Sequence, residues 1–508
     1  MDCIITIEIG TGAIRVTAFD LSGNLVGSAK GYYPTFHAQP DYSEQDPDQI
    51  FITMLYILKN FLNEKIHPKK HNIISICFSS AMHSVLPIDK FGRPMGNAMV
   101  WSDNRAKKEA ADLKNSDTGK LLYEATGTPL HAMSPLNKIA WLRNMDNDRF
   151  RGARKFLSVK TYIIQQLTDE YVIDHSVASA TGLLNIHNLK WEPDALRWVG
   201  ITEEQLAEVV SVFYNPKELK KEYKALLGLN DDLKIVIGSS DGCMATLGAG
   251  VWGDGKATIT IEESGAVRVV GKEVLQDKQQ RLFNYVLTEG TYISGGPTNN
   301  AGSALEWYAR QFGDFNKELD LEDCIDNTFK IASKVEAGAD GLIFLPYLQG
   351  ERAPIWDANA RGVYFGLNIK HEQRHFARAT IEGILFAFYN IGKTLAEHRN
   401  FQSLSANGSF ASYPLLTQII ADMFDVPVSI KQNSGPDSVA CGGFLLSATQ
   451  LGLYDNLDQA AQKVKLLTSF HPDKQNHSTY MKNFEIFQTL SVKLFNEFGA
   501  ISGMQVNN

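Results

Sequence analysis

Apolar and polar positions at the start of the chain follow a strand-turn-strand rhythm. Residues 4–9, opening Ile4-Ile5-Thr6-Ile7, predict a first strand, and Gly10-Thr11-Gly12 predicts a turn. Ile14-Arg15-Val16-Thr17-Ala18-Phe19-Asp20 predicts the returning strand of a β-hairpin. A second turn, Leu21-Ser22-Gly23-Asn24, leads into Leu25-Val26-Gly27, which continues the sheet. A helix is predicted over residues 46–62, with Asp46 as its cap and Pro47 at its first position. Residues 73–78 predict a buried strand that ends at Ser79-Ser80-Ala81-Met82-His83-Ser84, and such strand ends carry ligands in open α/β sheets. Further on, Leu233-Lys234-Ile235-Val236-Ile237 predicts a strand entering Gly238-Ser239-Ser240-Asp241-Gly242, where Asp241 begins a helix. Helices are also predicted over residues 303–312 and 413–424.

One segment repeats. Gly12-Ala13-Ile14-Arg15-Val16 returns as Gly265-Ala266-Val267-Arg268-Val269, and the copies follow Thr6-Ile7-Glu8 and Thr260-Ile261-Glu262. The copies lie half the chain apart, at the start of each half, so duplication explains them better than chance. The boundary is placed near Gly248-Ala249-Gly250, giving an N-terminal domain over residues 1–247 and a C-terminal domain over residues 248–508. Two α/β halves enclosing a central cleft are expected, with the ligand in the cleft.

The 508 residues suffice for two or more domains with a large core. A hydrophobic fraction of 44% and a charged fraction of 21% place the chain among soluble globular proteins. A net charge of -8 favours neither nucleic acid nor an anionic membrane surface. The longest basic run, Lys69-Lys70-His71, reads as a solvated turn. Five scattered cysteines argue against a disulfide framework or a zinc site and fit a reducing cytoplasm. No basic n-region with an apolar h-region precedes the first strand, so no signal peptide is expected. No stretch reaches the ~20 apolar residues of a membrane span. Residues 503–508 read as a frayed tail.

Asp241 is the leading candidate for chemistry. A carboxylate among small residues, between a strand and a helix, suits a general base that takes a proton from a substrate hydroxyl, although Asp-Gly is also a common turn or cap. Gly10-Thr11-Gly12 can offer backbone N–H groups and the Thr11 hydroxyl to a phosphate, with Arg15 adding charge; a plain hairpin turn is the alternative. Ile293-Ser294-Gly295-Gly296-Pro297-Thr298-Asn299-Asn300-Ala301-Gly302 and Ser405-Ala406-Asn407-Gly408-Ser409 each precede a helix and leave room for a nucleotide, or serve as simple helix entries. Neither holds the Walker pattern, so a P-loop enzyme is not expected. Val100-Trp101-Ser102-Asp103-Asn104-Arg105-Ala106 can grip a polyhydroxylated ligand, Trp101 packing on carbon and the polar groups bonding hydroxyls. His83 joins this set or is structural. Arg105 pairs with an acid group on the ligand, with Asp103 or with Glu109.

Together these residues resemble the FGGY family of carbohydrate kinases over nearly the whole chain. The family's C-terminal signature is similar to Gly362-Val363-Tyr364-Phe365-Gly366-Leu367, through His375-Phe376, to Ala379-Thr380-Ile381-Glu382. Its first signature is similar to Met133-Ser134-Pro135-Leu136-Asn137-Lys138-Ile139-Ala140-Trp141-Leu142. The resemblance implies a duplicated actin-like (ribonuclease H-like) α/β fold, two domains around a central cleft, and ATP with a divalent ion, Mg²⁺, in that cleft. It implies Asp241 as catalytic base and Met82, His83, Trp101, Asp103, Arg105 and Asp241 at the sugar. The implied nucleotide set is Gly10, Thr11, Gly12, Arg15, Ser264, Gly265, Gly302, Glu306, Gly408, Ser409 and Ser412, with Glu8 on the metal side. The implied partners are a sugar or sugar acid and ATP, with no nucleic acid and no membrane; homodimerisation stays open.

Within the family, Met82-His83-Ser84, Trp101 to Ala106, Thr126-Gly127-Thr128-Pro129-Leu130-His131-Ala132-Met133-Ser134-Pro135 and Gly350-Glu351-Arg352-Ala353-Pro354-Ile355-Trp356 with Asn359-Ala360-Arg361-Gly362 look like gluconate kinases. Xylulose kinases, which usually carry Met-His-Gly, come second. Several residues depart from the family pattern. Glu8 stands where the first phosphate loop has Asp, and Ala13 where it has Ser or Thr. Glu262-Glu263-Ser264-Gly265 stands for Gly-Thr-Ser-Gly, and Asn407-Gly408-Ser409 for three glycines. Like charges ~4 Å apart repel by about 1 kcal/mol in water and more when half-buried. Two glutamates facing a triphosphate would weaken binding by roughly ten- to a thousandfold unless a cation intervenes. Three outcomes follow: the carboxylates hold extra Mg²⁺, they turn away, or the enzyme is slow or inactive. The last is the rival class, a non-catalytic sugar-binding or regulatory protein. An actin-like ATPase without a sugar is disfavoured by the Trp101 cluster.

Overall fold

The computed structural model describes residues 1–66, 70–313, 320–433, 435 and 437–506; Lys69 of the basic run lies outside them. The chain divides into two compact bodies. The first comprises Met1–Trp252, Gly271–Ser294 and Ser438–Lys463; the second comprises Gly253–Val270, Gly295–Asp437 and Val464–Asn508.

The first body is built on a five-stranded sheet. Its strands are β1 (Asp2–Ile9), β2 (Ala13–Asp20), β3 (Leu25–Tyr32), β4 (Asn72–Ser80) and β5 (Lys234–Ser240), in the order β5-β4-β1-β2-β3. β1, β2 and β3 form an antiparallel meander, while β1, β4 and β5 run parallel. The central strand β1 is covered on both faces, which is why four of its eight residues are isoleucine. The predicted helix is present as Pro47–Glu64. Asp46 caps it, accepting from the Asp48 and Gln49 amides at 2.9 and 3.2 Å. Its Ile50, Met54, Leu58 and Phe61 recur at helical spacing and enter one apolar core with Ile5, Ile7 and Val16 of the sheet.

β5 changes register against β4 between Val236 and Ser239. Gly238 sits there at φ +71°, and a Cβ on it would stand 1.7 Å from the Phe78 carbonyl oxygen, so only glycine fits the bulge. The helix Asp241–Gly248 leaves β5 and packs on the helix Ser438–Gln450. Their backbones approach so closely that a Cβ on Gly248 would lie 1.9 Å from the Ser438 oxygen, and one on Gly442 2.0 Å from the Met244 oxygen.

The second body repeats the pattern. Its strands β6 (Gly255–Ile261), β7 (Gly265–Gly271), β8 (Phe401–Asn407), β9 (Val428–Lys431) and β10 (Leu466–Phe470) follow the order β7-β6-β8-β9-β10. β6 and β7 form an antiparallel hairpin, and β8 and β9 run parallel to β6 in turn. This is the arrangement of β1, β2, β4 and β5, with the repeated segment in the equivalent hairpin, so the fold is the duplicated actin-like (ribonuclease H-like) α/β type. The predicted helices are present as Gly302–Phe312 and Pro414–Phe424. The long helix Gln373–Ala396 is buried along most of its length; its signature residue Glu382 pairs with Arg378 at 2.6 Å and accepts the Gly338 amide. The C-terminal signature therefore serves the fold.

The expected frayed tail is a correction. Residues 495–506 form the helix Phe495–Val506, while Asn507 and Asn508 lie outside the described residues. Phe498 is buried against Tyr347, and Arg361 donates to Gln505 and Ser502, each at 2.7 Å. Tertiary contacts thus override the low helix propensity of Gly499 and Gly503. Among the described residues, no helix is long and apolar enough to cross a membrane.

Candidate active site

Three parallel strands of the first body end in line. Ser80 of β4 is level with Ile9 of β1 on one side and with Ser240 of β5 on the other. The residues that follow are Gly10-Thr11-Gly12, Ala81-Met82-His83 and Asp241. Adjacent strands are about 4.8 Å apart, so the three loops share one edge within about 10 Å. This is the carboxyl edge at which open α/β sheets bind ligands.

Asp241 is the first residue of its helix and is partly exposed. Its Oδ1 accepts the Gly242 amide at 2.6 Å. The layer beneath it is fixed by buried polar groups. Ser240 Oγ lies 2.6 Å from Ser176 Oγ, and the Ser240 amide donates to that same Ser176 oxygen. Lys160 donates to the Ser239 carbonyl and pairs with Asp174 at 2.7 Å, with both side chains almost wholly buried.

In the hairpin turn all three carbonyl oxygens are engaged. Tyr33 OH donates to Gly10 O, Gln45 Nε2 to Thr11 O, and the Tyr33 amide to Gly12 O at 3.2 Å. The Gly10 amide donates to Ala13 O at 2.9 Å. Among the described residues, the Thr11 and Gly12 amides have no protein acceptor, and a Cβ on Gly12 would meet nothing within 4 Å. Two open amides on a held turn form an anion-binding nest. Glu8 and Arg15 are cross-strand partners whose charged groups lie 3.8 Å apart, so part of the Arg15 charge is balanced within the protein.

The sugar set divides into two layers. Met82 is partly exposed and His83 buried. His83 adopts φ +66°, its Nδ1 lies 2.8 Å from Ala180 O, and its Nε2 lies 3.1 Å from Tyr285 OH. Tyr285 stacks on Phe283 at 4.2 Å. Trp101 is partly exposed, and its indole N–H donates to Thr11 Oγ at 3.0 Å, tying the sugar cluster to the hairpin. Asp103 and Arg105 lie behind this layer. Asp103 is fully buried and accepts from the Ser43 amide at 2.8 Å and from Arg105 at 2.7 Å. Arg105 also donates to Glu44 at 2.7 Å and lies over the Tyr42 ring at 3.6 Å. Of the pairings expected for Arg105, the Asp103 one forms. Glu109 instead accepts from Asn144, and Arg105 is paired with two carboxylates, Asp103 and Glu44.

Two contributors escaped sequence reasoning. Tyr285 belongs to no motif and reaches His83 across 202 positions. Lys138 lay within the first signature but drew no role. It is fully buried, donates to His83 O at 2.9 Å and to Val100 O at 2.5 Å, and so joins the His83 and Trp101 loops. Burial pushes its ammonium down to about 7, with Arg105 acting in the same direction and Asp103 opposing.

The second body gathers the rest at the equivalent strand ends, where Thr260 of β6 is level with Asn407 of β8. The Gly302 amide donates to Glu262 O at 2.8 Å and the Ser303 amide to Glu263 O at 2.9 Å. Gly408 has φ +96°, and a Cβ there would lie 2.4 Å from Ile261 O. Glu262 Oε1 accepts the Ser409 amide at 3.0 Å and its Oε2 accepts the Ser409 hydroxyl at 2.6 Å. Ser412 Oγ donates to Ser409 O. Ser264 accepts the Glu262 amide through its carbonyl, while Gly265 is packed under Phe388, whose ring lies 2.2 Å from where a Cβ would stand. Glu306 is partly buried one turn after Gly302; burial first, then Glu263, raises its carboxyl above the usual range.

Comparison with known proteins covers nearly the full length of the chain. The FGGY family of carbohydrate kinases, N-terminal domain, matches residues 3–248, and its C-terminal domain matches residues 258–451. The chain is 34% identical to a gluconokinase of Bacillus subtilis (strain 168), over 98% of this chain and 97% of that protein. It is 28% identical to a xylulose kinase of Staphylococcus xylosus, over 96% of this chain and 100% of that protein. Among solved structures, ligand-bound xylulose kinase from Lactobacillus acidophilus superposes with a TM-score of 0.92 at 32% identity, covering 99% of this chain and 100% of that one. Gluconate kinase from the same organism superposes with a TM-score of 0.91 at 32% identity, covering 98% and 99%. Fold and site thus define a phosphotransferase that uses ATP on a carbohydrate alcohol. The chain belongs to the FGGY family of carbohydrate kinases.

Proposed function

We propose that the protein transfers the γ-phosphoryl group of ATP to a terminal hydroxyl of an open-chain sugar acid, converting gluconate to 6-phosphogluconate in the cytoplasm. The observation that carries this reading is Asp241 at the strand edge shared with the His83 loop and the two open hairpin amides. The full-length similarity to gluconokinases supports the acceptor. Asp241 takes the hydroxyl proton as the sugar oxygen bonds to the γ-phosphorus; the bond to the β-phosphate oxygen breaks and ADP leaves. The Thr11 and Gly12 amides hold phosphate oxygens, with Arg15 adding charge. His83, Met82 and Trp101 orient the sugar. Asp103 and Arg105 serve by bracing the Trp101 loop, because both are buried and paired. Gly302, Glu306, Gly408, Ser409 and Ser412 line the nucleoside end, and Ser264 and Gly265 the second phosphate loop.

A divalent ion fits this site as a companion of the nucleotide. Among the described residues, no group of three or more His, Cys, Asp or Glu side chains is arranged to hold a metal. Mg²⁺ is typically held by one or two carboxylates plus substrate phosphates, and Glu8, beside Arg15, is the hairpin carboxylate that would hold it. The ion would offset the charge on the phosphates.

The test has two arms. ADP release coupled to a spectroscopic readout, run with gluconate, xylulose, ribulose and glycerol, is expected to be fastest with gluconate. Xylulose as the best acceptor would establish the second reading, which the match to ligand-bound xylulose kinase favours. Asp241→Asn is expected to lower kcat at least about a hundredfold while calorimetric binding of ATP and sugar persists. Turnover at the parental rate would remove Asp241 from the base role.

A further inference from the structure

Glu262 and Ser409 are each unusual against the family pattern, and the fold brings the two departures together. The Glu262 carboxylate takes both donors of Ser409, the amide at 3.0 Å and the hydroxyl at 2.6 Å. Its own carbonyl takes the Gly302 amide at 2.8 Å. Glu262 is therefore the joint of three segments: the turn after β6, the entry to the helix Gly302–Phe312, and the turn after β8. The segments also pack closely, since a Cβ on Gly302 would lie 2.2 Å from the Phe410 ring. A glycine at position 262 could make the backbone contact but not the side-chain one.

We propose that Glu262 is a positioning residue for the nucleotide. It locks the 408–412 turn to the 301–303 turn, presetting the nucleoside-binding backbone, and its carboxylate is directed at Ser409 rather than at phosphate. The inference rests on the nucleotide reading given above and deepens it. A carboxylate that accepts from an amide and a hydroxyl makes charge-assisted bonds stronger than neutral ones. Both groups are solvent-accessible, so the lock is worth little as stability; its value lies in removing alternative conformations of the turn before ATP arrives. The Glu262 carboxylate of the acidic loop is thus engaged inside the protein by both donors of Ser409.

The experiment measures KM for ATP, KM for the sugar acid, kcat, and calorimetric ATP binding in the presence of Mg²⁺ for the full chain and four variants. Glu262→Ala is expected to raise KM and Kd for ATP about tenfold, or about 1.4 kcal/mol. KM for the sugar acid and kcat at saturating ATP should stay within about twofold. Glu262→Gln, which can still accept the amide and meet the hydroxyl, is expected to stay within about threefold of the parent. Ser409→Ala should weaken ATP binding by less than Glu262→Ala, and Glu262→Ala/Ser409→Ala should be no worse than Glu262→Ala alone, since the two side chains act as one unit. Tighter ATP binding in Glu262→Ala would mean the carboxylate repels phosphate and would overturn the proposal; so would unchanged binding, or additive losses in the double variant. A parental protein that phosphorylates sugar beside an unaffected Glu262→Ala variant overturns this inference alone. A parental protein that neither binds ATP nor releases ADP overturns the proposed function and this inference with it.

Discussion

Lys138 shows how much one buried side chain can govern. Its ammonium holds two loops by their carbonyl oxygens and is fully excluded from water. Lys138→Met fills similar volume but leaves the His83 and Val100 carbonyls unmatched, at a cost of about 1–3 kcal/mol. KM for the sugar is expected to rise about tenfold and KM for ATP by less, because the lost ties hold the His83 and Trp101 loops directly and the hairpin only through Trp101. The pH dependence has a definite sign. The folded-state value of about 7 lies below the free value of 10.5, so between them the unfolded chain binds more protons. Stability should therefore rise from pH 7 towards pH 10, and urea midpoints should show that rise flattened in Lys138→Met. Much of this scale was legible in the sequence. Asp241 stood out because small residues and an apolar run flank it, and Trp101 because of its polar neighbours. Arg105 did not declare its second partner, since Glu44 lies 61 positions away and no local pattern links them. Tyr285 was invisible for the same reason.

At the scale of elements, periodicity and turn chemistry placed the hairpin, the Asp46-capped helix, both strands that lead to the site and the Asp241 helix within a few residues. Each is specified by neighbours in sequence. What sequence did not disclose is the pairing of helices through glycine. Gly248 and Gly442 let the Asp241 helix meet the helix Ser438–Gln450 at backbone distance. Gly442→Ala sets a methyl against the Met244 carbonyl, which cannot retreat without moving the helix that carries Asp241. A loss of about 1–3 kcal/mol in urea unfolding is expected, with kcat falling more than either KM. The terminal helix makes the same point in reverse, since Phe498 and the Arg361 contacts stabilise a segment whose own composition favours coil.

For the whole molecule, the repeated hairpin announced a duplicated fold. The contact pattern adds that neither body is continuous in sequence. The first body takes Gly271–Ser294 and Ser438–Lys463 from later in the chain. A fragment of residues 1–252 would lack the helix under Asp241 and the Tyr285 strand beside His83. It is expected to show no cooperative thermal transition by circular dichroism, whereas the full chain melts cooperatively. A sharp melt of the fragment would show that the late segments are dispensable to that body. Periodicity could not have foreseen this, because it reads neighbours and the discontinuity is a property of distant contacts.

The late arrival of the helix Ser438–Gln450 also matters while the protein is being made. A ribosome releases the aspartate-bearing half long before it releases the piece on which that half rests. Messages broken off before that piece is translated would yield no partly working catalyst able to trap sugar or waste nucleotide, only polypeptide ready for degradation.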